Sequence, residues 1–284
     1  MTRSMLTLLH ASDLQCGRPF RPDAAEALVR FAHQLRPDVI VISGDLTQRA
    51  KASEFRTAKE LIERLPKAPV LVTPGNHDVP MFRVWERAFA PYRNWKRFMS
   101  RDLDVTLRQA GATFVVLNSS APHAALVNGR IRVRQLEVAR IAFAAAPPDD
   151  ARVVVIHHHF VPAPDPSAGP PLPGARGLAE AFEAMEVDLV LGGHVHETHV
   201  NTSRALFPHR PGPGVPLVAC GTTTSRRGRG AEKGINSLNV VRLGPDSVEV
   251  LPHRLAPGEA DFTSGDPILI PRHRAPGRRR ASDG

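Results

Sequence analysis

Five short clusters of Asp, Asn, Gln and His punctuate the chain: Asp13-Leu14-Gln15, Gly44-Asp45, Gly75-Asn76-His77-Asp78, His157-His158-His159 and Gly193-His194-Val195-His196. Each directly follows an apolar run that reads as a β-strand, over residues 6–10, 39–43, 70–73, 153–156 and 189–191. In an open α/β sheet, the loops beyond the carboxyl ends of the strands converge on one crevice. Clusters placed in such loops therefore imply a single site. Their donors are carboxylate, carboxamide and imidazole, with no Cys among them. That set favours a borderline-hard divalent metal such as Mn, Fe or Zn over an iron–sulfur cluster or a thiolate zinc.

The elements that must hold these loops follow from the same patterns. Pro22 can open a helix at its first turn, and residues 24–35 carry apolar side chains at helical spacing. Residues 38–43 are largely β-branched, as expected of a strand buried on both faces. Residues 53–65 read as a helix with Ser53 as N-cap. Phe82, Trp85, Phe89, Tyr92, Trp95 and Phe98 recur at helical spacing. They are expected to face the core, in a helix broken near Pro91, rather than to form a lid or a base-stacking surface. Residues 113–118 read as a strand, 133–146 as a helix closed by Pro147-Pro148, 178–185 as a helix and 188–191 as a strand. The Pro-rich residues 161–174 form an irregular loop expected to border the substrate. After His196 the pattern changes to short strands over 215–219, 237–242 and 247–251, which look antiparallel.

The 284 residues, 42% of them apolar, suffice for one large α/β domain with its own core. Cys16 and Cys220 lie far apart and offer no disulfide framework. Met1 to Leu6 lack a secretory signal pattern, and no stretch approaches the roughly 20 apolar residues that span a bilayer. A cytoplasmic protein without a membrane partner is the expectation. The net charge is +9. Arg272, Arg274, Arg278, Arg279 and Arg280 lie close together among Pro, Gly and Ser. We therefore read residues 1–254 as the folded domain and 255–284 as a basic, partly disordered tail. A basic arm can bind nucleic acid, but a solvated tail with no dedicated partner is the favoured reading. Oligomeric state is not legible from the sequence.

The order of the clusters resembles that of calcineurin-like metallophosphoesterases, and more narrowly the bacterial class III cyclic nucleotide phosphodiesterase branch. The family order is Asp-x-His, Gly-Asp, Gly-Asn-His-(Asp/Glu), a later strand-end His, then Gly-His-x-His. This chain has that order between residues 13 and 196, with Gln15 where the family has His. The resemblance covers residues 5–250. It implies a four-layer α/β/β/α sandwich with two mixed β-sheets. It implies two divalent metal ions (Mn²⁺, Fe²⁺/Fe³⁺ or Zn²⁺) that activate a bridging hydroxide against a phosphoester. By motif position, the first metal takes Asp13, Gln15, Asp45 and His196, and the second takes Asp45, Asn76, His157 and His194. His77 matches the non-ligand His that binds the phosphate or protonates the leaving oxygen, and Asp78 orients His77 or its loop. Counting back from Phe160-Val161-Pro162 places the ligand of the triple His at His157, with His158 or His159 as alternatives and His158 as a supporting group.

Gln15 leaves three readings open. The first site can bind metal weakly and still work, it can prefer oxygen-loving Mn²⁺ or Mg²⁺, or the centre can be functionally mononuclear. The first is favoured, because every other ligand is in place. The expected activity is hydrolysis of a small phosphodiester such as a cyclic nucleotide. A nuclease of the same superfamily and a degenerate, non-catalytic metal-binding module are the alternatives.

Overall fold

The computed structural model describes residues 5–109, 111–124 and 127–272. Strands β1 (Leu6–Ala11), β2 (Val39–Ile42) and β3 (Val70–Val72) run parallel, linked by helices α1 (Pro22–Leu35) and α2 (Ala52–Glu63). Helices α3 (Val84–Phe89) and α4 (Arg93–Phe98) flank Pro91 and lead to the hairpin of β4 (Val105–Gln109) and β5 (Ala112–Val116). Then follow α5 (Val133–Ala144), β6 (Ala151–Val155), α6 (Ala175–Ala184) and β7 (Leu189–His196). The chain continues through β8 (His199–Thr202), β9 (Pro216–Gly221), β10 (Asn236–Leu243), β11 (Ser247–Leu255), β12 (Thr263–Ser264) and β13 (Ile268–Pro271).

Two mixed sheets result. One has the order β12-β11-β10-β1-β2-β3, with β13 also on β11, and the other β4-β5-β6-β7-β9-β8. Alternation along the strands fixes their stacking. On β2, Val39 and Val41 enter one apolar cluster while Ile40 and Ile42 enter another. On β6, Val153 and Val155 enter the first of these, and Val154 enters a third. The shared cluster lies between the sheets. The outer two bury Leu28, Phe55 and Trp95 on one side, and Phe143 and Phe182 on the other, under the helices. Three apolar layers require four layers of structure, so the fold is the α/β/β/α sandwich. Each fully buried Val, Leu, Ile or Phe contributes about 1.5–3 kcal/mol relative to exposure.

Several local expectations change. Ser53 does not cap α2. Lys51 holds the cap position, and Glu54 accepts hydrogen bonds from the backbone N–H of Arg49 (2.7 Å) and Lys51 (3.3 Å). The aromatic run splits. Trp95 is buried against Phe55, but α3 buries nothing, and Phe82, Trp85 and Phe89 are 71–80% exposed. Pro91 explains the difference, because it ends α3 and lets α4 turn onto α2 independently. The 215–219 run, β9, is parallel to β7 and antiparallel only to β8, so it belongs to the second sheet. The β10–β11 pair is antiparallel as expected.

The boundary placed at residue 254 falls inside β11, and the chain stays on the first sheet through β12 and β13. Arg272 is 4% exposed at its side chain and donates to the Asp188 carboxylate (3.1 Å) and the Gly244 carbonyl (3.0 Å). It is a buried anchor rather than a solvated tail residue. Arg274, Arg278, Arg279 and Arg280 lie outside the described residues.

Candidate metal centre

The carboxyl ends of β1, β2, β3, β6 and β7 bring the five clusters together. After β1 and β2 the chains stay paired, with the Asp13 N–H on the Gly44 carbonyl (3.0 Å) and the Gln15 N–H on the Asp45 carbonyl (2.9 Å). Among the described residues, eight non-glycine residues have positive φ, and Asp13, Gln15, Asp45, His194 and His196 are five of them. Such conformations cost of order 1–3 kcal/mol each and persist where the surroundings over-determine them. His194 and His196 lie within β7 itself, not in a loop after it. The register against β9 shifts between Gly192 and His196, the kind of bulge that re-aims side chains.

Glycines make room for this convergence. A Cβ on Gly44 would stand 2.5 Å from His157 Nδ1, one on Gly75 2.1 Å from Asp45 Oδ1, and one on Gly193 1.9 Å from Ser12 Oγ.

Two groups of donors form. Asp13, Asp45 and His196 present ligand atoms within 4.8 Å of one another, and so do His157, His158 and His194. The groups meet at Asp45, whose Oδ2 is 3.4 Å from His157 Nε2 while its Oδ1 accepts the His77 N–H at 2.8 Å. Asn76 joins the second group, with its Oδ1 3.0 Å from His194 Nδ1. The His157 Nδ1–H donates to the Ser43 carbonyl (2.7 Å) and the His196 Nδ1–H to the Arg227 carbonyl (2.8 Å). Both rings therefore turn Nε2 inward. His158 Nδ1 engages the Ser119 hydroxyl at 2.7 Å, and its Nε2 has no hydrogen-bond partner. Neither ring nitrogen of His159 has one, and that ring stacks on His194 at 5.7 Å.

Gln15 sits beside His196, its amide nitrogen 3.2 Å from Nε2 and its amide oxygen accepting from the Ser225 hydroxyl at 3.0 Å. Asp78 makes no hydrogen bond to the His77 ring. It accepts from the N–H groups of Leu46, Thr47 and Gly75 and from the Thr47 hydroxyl, and so ties the Asp45 loop to the Asn76 loop. The His77 Nδ1–H donates to the Gln48 carbonyl (2.9 Å), and Nε2 accepts from Arg227 Nη1 (2.9 Å).

The charge balance is built around Asp45. Burial pushes its carboxyl up, but the His157 and His77 imidazoles outweigh this and hold it well below the usual range. Burial pushes His157 down, and the Asp45 and Asp13 carboxylates reverse it, leaving the ring raised to about 9. Burial lowers His158 and His194, and neighbouring imidazoles add to it. Burial and then Asp45 push Asp78 up to about 7.

The donor set fits divalent metals. Among the described residues, Asp13 Oδ1, Asp45 Oδ2 and His157 Nε2 are buried polar atoms without a hydrogen-bond partner, an arrangement that is costly unless a cation engages them. Oxygen with imidazole nitrogen suits Mn, Fe or Zn.

Above these residues lies a crevice of ≈ 330 Å³, bordered by Asn76, His77, His194 and Arg227 and by Ser167 to Gly169 of the Pro-rich loop. That loop was expected to border the substrate. Arg229 holds it through the Ser167 carbonyl at 3.2 Å. Ser225 and Arg227 lie in the Gly- and Arg-rich residues 221–230 between β9 and β10, a stretch whose sequence resembles the phosphodiesterase branch without assigning either residue a place at the site.

Residues 6–198 match the sequence pattern of the calcineurin-like phosphoesterases. The chain is 25% identical to a Rhodococcus erythropolis protein named "Probable cyclic nucleotide phosphodiesterase", over 87% of this chain and 81% of that one. In fold it is similar to a purple acid phosphatase from yellow lupin (Lupinus luteus) seeds, with TM-score 0.71 and 12% identity over 95% of this chain. The chain spans about half of that protein, 54%. It is also similar to a dimetal phosphatase from Danio rerio, with TM-score 0.64 and 13% identity over 94% of this chain and 99% of that one. The chain belongs to the calcineurin-like phosphoesterase family and is a metal-dependent phosphoester hydrolase.

Proposed function

We propose that this member of the calcineurin-like phosphoesterases is a phosphodiesterase for a small phosphodiester such as a cyclic nucleotide. Asp13, Gln15, Asp45 and His196 would hold one divalent metal, and Asp45, Asn76, His157 and His194 would hold the other. The observation that carries the reading is Asp45, which belongs to the group with Asp13 and His196 and whose Oδ2 stands 3.4 Å from His157 Nε2 of the other. A relative named as a cyclic nucleotide phosphodiesterase supports the substrate class. When bound, a metal pair neutralises the phosphate and activates water at neutral pH.

The chain's own residues do the rest. With Nδ1 fixed on the Gln48 carbonyl, His77 can present only Nε2 to the crevice, 4.0 Å from Asp45 Oδ2. A proton carried there reaches the leaving oxygen once Arg227 shifts from His77 to the phosphate. Asp78 keeps the two ligand loops in register. His158 packs beside His157 and His194 and buttresses both rings. Of the triple His, His157 is the ligand, because its Nδ1 is anchored and its Nε2 faces Asp45.

Two unpaired, buried cysteines fit a cytoplasmic protein. No helix among the described residues is long and apolar enough to cross a membrane.

The test is hydrolysis of bis(p-nitrophenyl) phosphate and of 3′,5′-cyclic nucleotides with Mn²⁺, alongside metal content. Asp45→Ala should lose both metals and all turnover. Two metals retained in that variant would mean that another group joins the sites.

A further inference from the structure

The crevice over the metal residues does not end at His77. Beyond His77 lie a hollow of ≈ 180 Å³, lined by Gln48, Arg49, His77, Phe82 and Arg227, and a cleft of ≈ 530 Å³. Arg18, Arg49, Lys51 and Arg227 line this cleft, with Gln48 and Glu54. Arg227 borders all three spaces, and His77 borders the crevice and the hollow. The crevice, the hollow and the cleft therefore adjoin one another around Arg227.

Its charge is one-sided. Glu54, the acid on its wall, accepts the backbone N–H groups of Arg49 and Lys51 at Oε2. Among the described residues, none of the four cations has a carboxylate partner. Arg49 lies over the Phe82 ring at 5.4 Å, and Arg227 is held by Gln48 Oε1 (3.3 Å) and His77. Phe82 is 71% exposed at the neck between crevice and cleft. A largely exposed ring with an arginine over it resembles the platforms on which nucleobases stack. A 3′,5′-cyclic mononucleotide brings a single negative charge, and that charge belongs over the metal ligands. It leaves the four cations of the cleft with only Glu54 of the cleft wall to balance them.

We propose that the cleft of Arg18, Arg49, Lys51 and Arg227 binds a second phosphate of the substrate, one nucleotide away from the scissile diester, with Phe82 under the intervening base. The proposal rests on the phosphodiesterase reading and goes beyond its cyclic-nucleotide example to substrates with two or more phosphates in a nucleotide chain. Arg227 joins the subsites, reaching the scissile phosphate from one side and the second phosphate from the other. A dinucleotide and the end of a single strand both present this chemistry.

The test compares the thymidine dinucleotide TpT with its 5′- and 3′-phosphorylated forms, on the full-length, manganese-loaded protein. Binding is measured by calorimetry with phosphorothioate-linked analogues, which resist hydrolysis, and turnover with the natural linkages. One phosphorylated form should bind roughly tenfold tighter than TpT, as two charge-assisted contacts at a partly exposed site allow. The preference should weaken as salt rises. The double substitution Arg18→Ala/Lys51→Ala alters two exposed side chains away from the metal residues. It should abolish the preference and leave TpT binding and bis(p-nitrophenyl) phosphate turnover at wild-type levels. Equal affinity of the wild-type protein for all three dinucleotides overturns the proposal, as does a preference that survives the double substitution. Binding is read without turnover, so an inactive protein that keeps the preference refutes the phosphodiesterase reading alone. Longer oligothymidylates separate the sources. Affinity that rises with length identifies a strand end, and affinity level with the phosphorylated dinucleotide identifies a dinucleotide; either supports the second-phosphate subsite.

Discussion

Gly75→Ala adds one methyl group to the centre of the site. Gly75 has φ −96°, an ordinary value for alanine, so the substitution carries no backbone strain. Its whole effect comes from contact. The new Cβ would lie 2.1 Å from Asp45 Oδ1, 2.5 Å from the Asp45 backbone nitrogen and 2.7 Å from Asp45 Cγ. Ordinary non-bonded contact requires the carboxylate or the loop to yield by about 1 Å. Asp45 cannot yield freely, because Oδ1 holds the His77 N–H and Oδ2 faces His157. Overpacking of this kind costs about 1–3 kcal/mol of stability. A displacement of about 1 Å at a catalytic group costs roughly 10²-fold in rate. Gly75→Ala should therefore remain folded, bind Mn²⁺ more weakly in calorimetry, and lose at least about 10²-fold of bis(p-nitrophenyl) phosphate turnover. Gly177→Ala is the internal control. It lies in α6, its Cβ would meet nothing within 4 Å, and it should keep full activity. It should gain about 0.5–1 kcal/mol from helix propensity. Wild-type metal stoichiometry and turnover in Gly75→Ala would refute the placement of Asp45 between the two donor groups.

Gln15→His should raise Mn²⁺ affinity at the first site by roughly tenfold, the low end of what changes around a ligand set do. A half-turn of the Gln15 amide exchanges the two atoms that face His196 and Ser225, so the native residue can offer its oxygen to a metal. Superimposable Mn²⁺, Mg²⁺ and Zn²⁺ activity titrations for the two proteins would remove residue 15 from the ligand set. His77→Ala should keep both metals and lose about 10²-fold or more in turnover, as removal of a general acid does; metal loss measured by elemental analysis would make His77 a ligand instead. His10, fully buried with Nε2 on the Ser43 hydroxyl at 3.0 Å, is lowered by burial from 6.5 to about 3. Its folded value lies below its unfolded one, so the unfolded chain takes up the proton first as pH falls. Stability present above pH 6.5 is then lost down to about pH 3, at about 1.4 kcal/mol per pH unit. Urea unfolding of His10→Gln between those limits should show a flatter acid limb, and an unchanged slope would mean that the folded state already carries the proton.

Much of the centre was legible because its ligands lie next to the strong signals. β2 is four consecutive buried β-branched residues, and such a run, ended by Gly44-Asp45, announces both a central strand and the loop at its carboxyl end. The same holds for β6 and His157. Legibility fell where tertiary context decides. The spacing of Phe82, Trp85 and Phe89 is helical, and α3 is a helix, but period alone does not say whether a stripe meets a core. β9 has the apolar run of any buried strand, and its partner β7 is set by the packing of the whole second sheet. The Arg272 anchor was hidden in a basic stretch whose composition resembles a solvated tail, because Asp188, its partner, stands far away in sequence.

The backbone of the ligands is the least legible part, and it explains why the clusters are short. Asp and His enter the left-handed region more readily than most residues but are still uncommon there, and Gln has no such tendency, yet Asp13, Gln15, Asp45, His194 and His196 all occupy it. Nothing local repays that strain. It is imposed by the sheets, through the Asp13 and Gln15 N–H groups on the neighbouring loop and the bulge of β7 against β9. Local propensity and global fold disagree at these positions, and disagreement of this kind is expected at functional sites. The rigid α/β/β/α frame is then part of the chemistry. It holds unpaired carboxylate and imidazole lone pairs at one point, where an isolated loop of the same sequence would relax and let them separate.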